Sequence, residues 1–259
     1  MLDVVPLPTK KPSPKVALRA LDTVWFQVSG TICNLTCNHC FISCSPKNHS
    51  HEMMPFEVVA SHIAEARKLG VREYYFTGGE PFMNRDMLDI LACALDAGPS
   101  SVLTNGLLIK PDTAARLKEL SEASEYSLDL RISIDGWDAE TNDPIRGEGT
   151  FDRIMTGVKN LAEAGISPVL TVTEACSDAA TRAGRTRFLE FLRGVGREHP
   201  RLKVLPLLRM GAEEDREREQ VAEEDNHDRN REENPRFPVA ATDADDQEAR
   251  ERERAYMEH

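Results

Sequence analysis

What this 259-residue chain lacks narrows its class before any motif is read. It has no run of about 18 or more apolar residues, and its opening stretch MLDVVPLPTKKPSPK has no apolar signal core. The expectation is a soluble, cytoplasmic protein with no membrane partner. It also lacks positive charge. The formal net charge is −12, and residues 212–259 hold 18 acidic and 8 basic side chains, so the preceding body is nearly neutral. Neither part offers the basic stripe that a phosphate backbone attracts, which argues against nucleic acid as a partner. Cysteine is absent after Cys176.

What is present organises the chain around CNLTCNHC, residues 33–40, where Cys33, Cys37 and Cys40 form a CxxxCxxC pattern. Three thiolates are one short of the Cys₄ set that closes an ordinary iron–sulfur or structural zinc site. A cluster held by three keeps one iron open to another ligand. The same residues allow a zinc knuckle that draws its fourth ligand from Cys44, His49 or His51. A second signal, TGGEP at residues 77–81, begins 37 residues after Cys40. Its glycines permit positive φ and close backbone approach in any tight strand-to-helix turn.

Strand patterns at about 22–29, 73–77, 101–106, 128–135, 168–175 and 202–208 alternate with five helical patterns: Pro55 to Gly70, 85–97, from Pro111, 150–165 and 181–194. In the first helix, Phe56, Val59, Ala60, Ile63 and Ala64 form the apolar stripe. Six strands at this period predict an α/β fold of parallel βαβ units with right-handed crossovers, too few for an eight-stranded barrel. The expected organisation is an extended N-terminal arm at 1–20, a core domain at 21–210, and a charged tail at 211–259. That tail is too charged to bury a core, so it reads as disordered or as a solvated helix.

CxxxCxxC after a first strand, TGGEP, a strand ending in SIDG, and IRGEGTFD together resemble the radical S-adenosylmethionine (SAM) superfamily over about residues 20–210. The closest subgroup in pattern is the SPASM or anaerobic sulfatase-maturase type, here without the cysteine-rich C-terminal extension. The resemblance implies a partial (β/α)₆ TIM-like barrel with function at the carboxyl ends of its strands. It also implies a [4Fe-4S] cluster on Cys33, Cys37 and Cys40 whose fourth iron chelates SAM. The implied reaction is reductive cleavage of SAM, followed by hydrogen-atom abstraction from a substrate, most readily a peptide or protein side chain, with small molecules such as cofactor or heme precursors as the other class. A low-potential donor such as a flavodoxin or ferredoxin would supply the electron, and a second protein would be able to present the substrate.

The resemblance extends to individual positions. Gly78, Gly79 and Glu80 would meet the SAM amino group, with the carboxylate facing the cation. His39 occupies a place where relatives offer a backbone group to adenine, and its imidazole is given no role. Phe41 would pack beside the cluster or adenine, or simply in the core. Ser133 and Asp135 share one side-chain parity and would face the SAM ribose and carboxylate, with Ile132 and Ile134 turned to the helices. Arg146 would pair with the SAM carboxylate, a surface salt bridge being the plain alternative. Asn105 lies at a strand end that an ordinary turn would also explain. Cys176 could capture or quench a radical, or be a small partly buried residue; Cys93 reads as core. The competing reading from another class is a degenerate or partner-dependent metal-binding protein, iron–sulfur or zinc, without independent catalysis.

Overall fold

The computed structural model describes residues 17, 19–175, 179–194, 199–216 and 218. Most of the expected arm and tail, and Cys176, lie outside the described residues. The chain divides after Glu213 into two units, Met1–Glu213 and Glu214–His259, and everything below concerns the first. Among the described residues, no helix is long and apolar enough to cross a membrane.

Six strands form one sheet in sequential order: β1 (Thr23–Gln27), β2 (Glu73–Thr77), β3 (Ser100–Thr104), β4 (Leu128–Ser133), β5 (Val169–Thr173) and β6 (Arg201–Leu205). Every neighbouring pair is parallel, and β1 does not pair with β6, so the sheet stays open. Parallel strands need long crossovers. These are supplied by α1 (Phe56–Lys68), α2 (Met87–Leu95), α3 (Pro111–Ala123), α4 (Ala139–Arg146), α5 (Thr150–Glu163) and α6 (Arg182–Gly194). The result is the parallel α/β arrangement that the alternation predicts, in the open, partial (β/α)₆ barrel form that the resemblance implies.

Parity along the strands separates two faces. Tyr74, Phe76, Val102, Leu130, Ile132 and Ile134 are buried in one core against Val59, Ile63, Ile90, Leu117, Ile154 and Leu161 of the helices. The intervening residues of the same strands face the other way. In α1 the buried stripe is Val59, Ile63 and Ala66, while Ala64 is exposed. The helix follows a four-then-three spacing that the denser expected stripe did not distinguish.

One element differs from the sequence reading. Residues 139–146, outside the five helical patterns read from the sequence, form α4. Pro144 inside it and the run of Asp, Asn and Thr argue locally against a helix. A start signal was nevertheless present, because Asp138 caps the helix by accepting a hydrogen bond from the Thr141 backbone N–H at 2.9 Å.

The long excursion at residues 28–54 contains the cysteine motif and no helix or strand of its own. Its two ends are tied together. The Met54 N–H donates to the Val28 carbonyl at 3.0 Å, and the buried Asn84 amide donates to both Val28 O, at 2.8 Å, and Met54 O, at 2.9 Å. Asn84 Oδ1 also accepts from the Asp86 N–H at 2.9 Å, at the entrance to α2. One amide thus closes the loop and joins it to the next helix. Replacing Asn84 with Ala leaves the Met54 carbonyl without this buried donor and should cost about 1–3 kcal/mol. Urea unfolding measures this, and a loss within error of zero would refute the role.

Candidate functional site

The cysteine motif and the glycine turn are distant in sequence but share backbone. Gly79 N–H donates to Gly30 O at 2.9 Å, and Glu80 N–H donates to Ile32 O at 3.1 Å, directly before Cys33. A Cβ on Gly79 would collide with the Ile32 carbonyl and the Cys33 nitrogen. Gly78 has φ +130° and lies against Ser29. Only glycines let the end of β2 come this close, so TGG positions the first cysteine whatever else it does.

Around this junction a pocket opens at the carboxyl ends of the strands. Cys33, Cys37, His39, Cys40, Phe41, Gly78, Gly79, Asn105, Ser133 and Arg146 all line it, joined by Cys44, Thr77, Thr171, Thr173 and Leu205. Sequence separations of more than a hundred residues collapse into one cavity. Phe41 stands on its rim, 46% exposed, rather than deep in the core.

Glu80 and Asp135 are the exceptions. Glu80 is fully buried and absent from the lining; its carboxylate accepts from Thr104 Oγ1 at 2.6 Å, Asn105 N–H at 2.8 Å and Phe82 N–H at 3.1 Å. This carboxylate, expected to face a cationic ligand, holds the end of β3 through these donors. Burial raises its pKa, against the opposing pull of those three hydrogen bonds.

Asp135 is also fully buried. Its Oδ1 accepts from Thr173 Oγ1 at 2.8 Å and Thr173 N–H at 3.1 Å, and its Oδ2 lies 2.7 Å from both His39 Nε2 and Arg146 Nε. Burial opposes ionisation, but the Arg146 guanidinium and the His39 contact outweigh it and hold the carboxyl well below the usual carboxylate range. The His39 imidazole, given no role from sequence, is therefore engaged. Ser133 shares this parity and lines the pocket, while Ile132 and Ile134 lie in the helix-side core.

The thiols are buried to different degrees. Burial pushes Cys33 up to about 12, against the Leu35 N–H that donates to its sulfur at 3.4 Å. Burial likewise raises Cys37, with Arg146 opposing. Cys40 moves down to about 6 because the Cys44 thiol, and then the Cys44 N–H at 3.2 Å, donate to it; Cys44 rises as the partner that keeps the proton. Metal ligands must be thiolates, so a positively charged centre in this pocket would reverse the two raised values. Asn105 adds a contact from its side-chain amide to Cys33 Sγ at 3.8 Å and donates to Asn34 Oδ1 at 2.7 Å. Cys44 was named from sequence only as a candidate zinc ligand, and Thr173 was not assigned to the site at all. A fourth cysteine four residues after Cys40 was the visible signal for the first, while the second is marked only by the fold. Cys93 packs against the helix-side core, as expected.

The family model for the radical SAM superfamily matches residues 28–175. The chain is similar to a probable GTP 3′,8-cyclase from Methanosarcina mazei, 38% identical over 146 residues, which covers 53% of this chain and 41% of that protein. It is similar to the mycofactocin maturase MftC from Mycolicibacterium smegmatis, 35% identical over 177 residues, covering 64% of this chain and 43% of the relative. The crystal structure of Streptococcus suis SuiB bound to S-adenosylmethionine superposes with a TM-score of 0.57 at 20% identity, over 73% of this chain and 41% of that one, which is a likeness of fold. The chain spans about two fifths of the length of the curated relatives it matches here.

The Glu80 geometry predicts a pH dependence. A carboxyl whose folded pKa is raised contributes stability below its unfolded pKa, about 4.3, and loses it as pH rises through the folded value. The stability of the wild type relative to Glu80→Gln should therefore improve as pH is lowered from 7 toward about 4. Urea midpoints for the two proteins across that range test this, and a pH-independent difference would overturn it.

Proposed function

The chain belongs to the radical SAM superfamily, and from that premise we propose that its pocket binds a [4Fe-4S] cluster and SAM to perform radical chemistry on a peptide. The observation that carries the proposal is the joint lining of one pocket by three motif thiols, the glycine turn and Arg146. The residues suit the group. The three motif thiols open onto a common space, and thiolates are the ligands that hold an iron–sulfur cluster. Thr171 Oγ1, buried at the pocket wall, has no hydrogen-bond partner and is available to a polar ligand.

When bound, the two cofactors supply reductive cleavage of SAM to methionine and a 5′-deoxyadenosyl radical that takes a hydrogen atom from the substrate. The chain's own contribution is binding and orientation. Cys33, Cys37 and Cys40 would hold the cluster. The backbone at Gly78 and Gly79, which lines the pocket where the Glu80 carboxylate does not, would receive the amino group. Arg146 would take the carboxylate, a planar acceptor that matches its fork. Asn105 would donate toward Cys33, where hydrogen bonds to sulfur tune a cluster's potential. Ser133 and Thr171 would offer polar contacts to the ribose from adjacent strands.

The peptide substrate is supported by a protein of the same fold, SuiB, crystallised bound to its precursor peptide SuiA. A low-potential flavodoxin or ferredoxin would deliver the electron.

Anaerobic reconstitution with iron and sulfide should give about four irons per chain. On reduction with SAM, the protein should form 5′-deoxyadenosine, and the triple variant Cys33→Ala, Cys37→Ala, Cys40→Ala should form none. Stoichiometric zinc in place of iron, or undiminished product from the variant, would overturn the proposal.

A further inference from the structure

The fully buried carboxylate of Asp135 is absent from the pocket wall, yet two side chains that line the wall converge on it. A carboxylate offers about four acceptor positions. Here Thr173 supplies two donors to Oδ1, and His39 and Arg146 both lie 2.7 Å from Oδ2. Both contacts to Oδ2 are at ion-pair distance, and the carboxylate itself does not line the pocket. Its backbone is held as well, the Asp135 N–H donating to Asn142 Oδ1 of α4 at 3.0 Å.

The same helix holds the middle of the cysteine motif. Asn38, between Cys37 and Cys40, donates its N–H to Ile145 O at 2.9 Å and its side-chain amide to Pro144 O at 2.8 Å. These carbonyls belong to the last turn of α4, where they have no intrahelical partner. The next residue in the helix is Arg146, and the next in the loop is His39. Asp135 closes the circuit by binding both.

We propose that Asp135 is a positioning residue that touches no cofactor atom: it anchors the Nε edge of Arg146, so that the terminal nitrogens remain for the SAM carboxylate, and it locks the cysteine loop to α4 through His39. This rests on the reading of the pocket as a SAM site. Fixing a guanidinium before binding avoids the cost of ordering it when the ligand arrives. Without the carboxylate, Arg146 would be a buried cation with no counter-ion and would turn toward the pocket or toward solvent.

The test is SAM binding to the reconstituted full chain, by equilibrium dialysis normalised to loaded cluster, together with the electron paramagnetic resonance change that SAM produces in the reduced cluster. Asp135→Asn should weaken SAM binding about tenfold or more per loaded cluster and reduce the spectral change at matched SAM. Arg146→Ala should do the same, and the double variant should be no weaker than Arg146→Ala alone, because one residue acts through the other. If Asp135→Asn does not load, Thr173→Val, which removes one hydrogen bond to Oδ1, decides the matter and should weaken SAM binding in the same direction by a smaller factor. Wild-type affinity in every loaded Asp135 or Thr173 variant, or losses that add between Asp135 and Arg146, would overturn the clamp while leaving the SAM site intact. A loaded wild-type protein that binds no SAM would instead overturn the reading on which the clamp rests.

Discussion

The close approach of the Gly78–Gly79 backbone to residues 30–33 is the constraint on which the site depends. The excursion at residues 28–54 has no regular structure, so its polar backbone groups need partners from elsewhere. Gly30 O and Ile32 O find theirs in the N–H groups of Gly79 and Glu80. That pairing requires glycine at the contact, since any Cβ at residue 79 would overlap the Ile32 carbonyl. The consequence reaches outward: Glu80, carried inward by the same turn, captures Thr104 and Asn105 and so sets the end of β3, and Asn105 then reaches Cys33.

Two buried carboxylates do opposite jobs within this frame. Glu80 has three neutral donors and no cation at hydrogen-bond distance, and burial raises its pKa. Asp135 faces a guanidinium and an imidazole, which hold its pKa down against the cost of burial. One organises the floor on the β2–β3 side and the other organises the β4–β5 side, so the pocket's two walls are held by different physics. A buried ion pair is weak evidence for stability, because desolvation offsets much of its attraction. Its value here lies in orientation: a fork tethered at Nε keeps a defined plane.

How far the site was legible follows from the range of each interaction. The three thiols are marked by a spacing of three and four residues, which local chain geometry alone can read. Ser133 and Asp135 were placed on the inward face by strand parity, and that parity carries past the end of β4. The inward partners of Glu80 were not legible because its sequence context shows a carboxylate beside glycines but not the strand end that it holds. The His39 side chain was set aside for the same reason: its partner lies nearly a hundred residues away, and nothing near CNHC announces it. Helix α4 was missed because Pro144 and short polar residues weigh against helix locally, while Asn142 and the last-turn carbonyls are fixed by contacts with β4, α5 and the cysteine loop.

By itself, then, the sequence determined the alternation of strands and helices, the parallel sheet that such crossovers require, and the thiol triad with its glycine turn. Those are set by hydrophobic period, by glycine and proline punctuation, and by side-chain chemistry within a few residues. Tertiary structure alone decided which polar groups face the pocket and which are spent inside the protein. A carboxylate's role depends on the donors around it, and for Glu80 and Asp135 those donors arrive on separate strands and loops that meet only when the sheet forms.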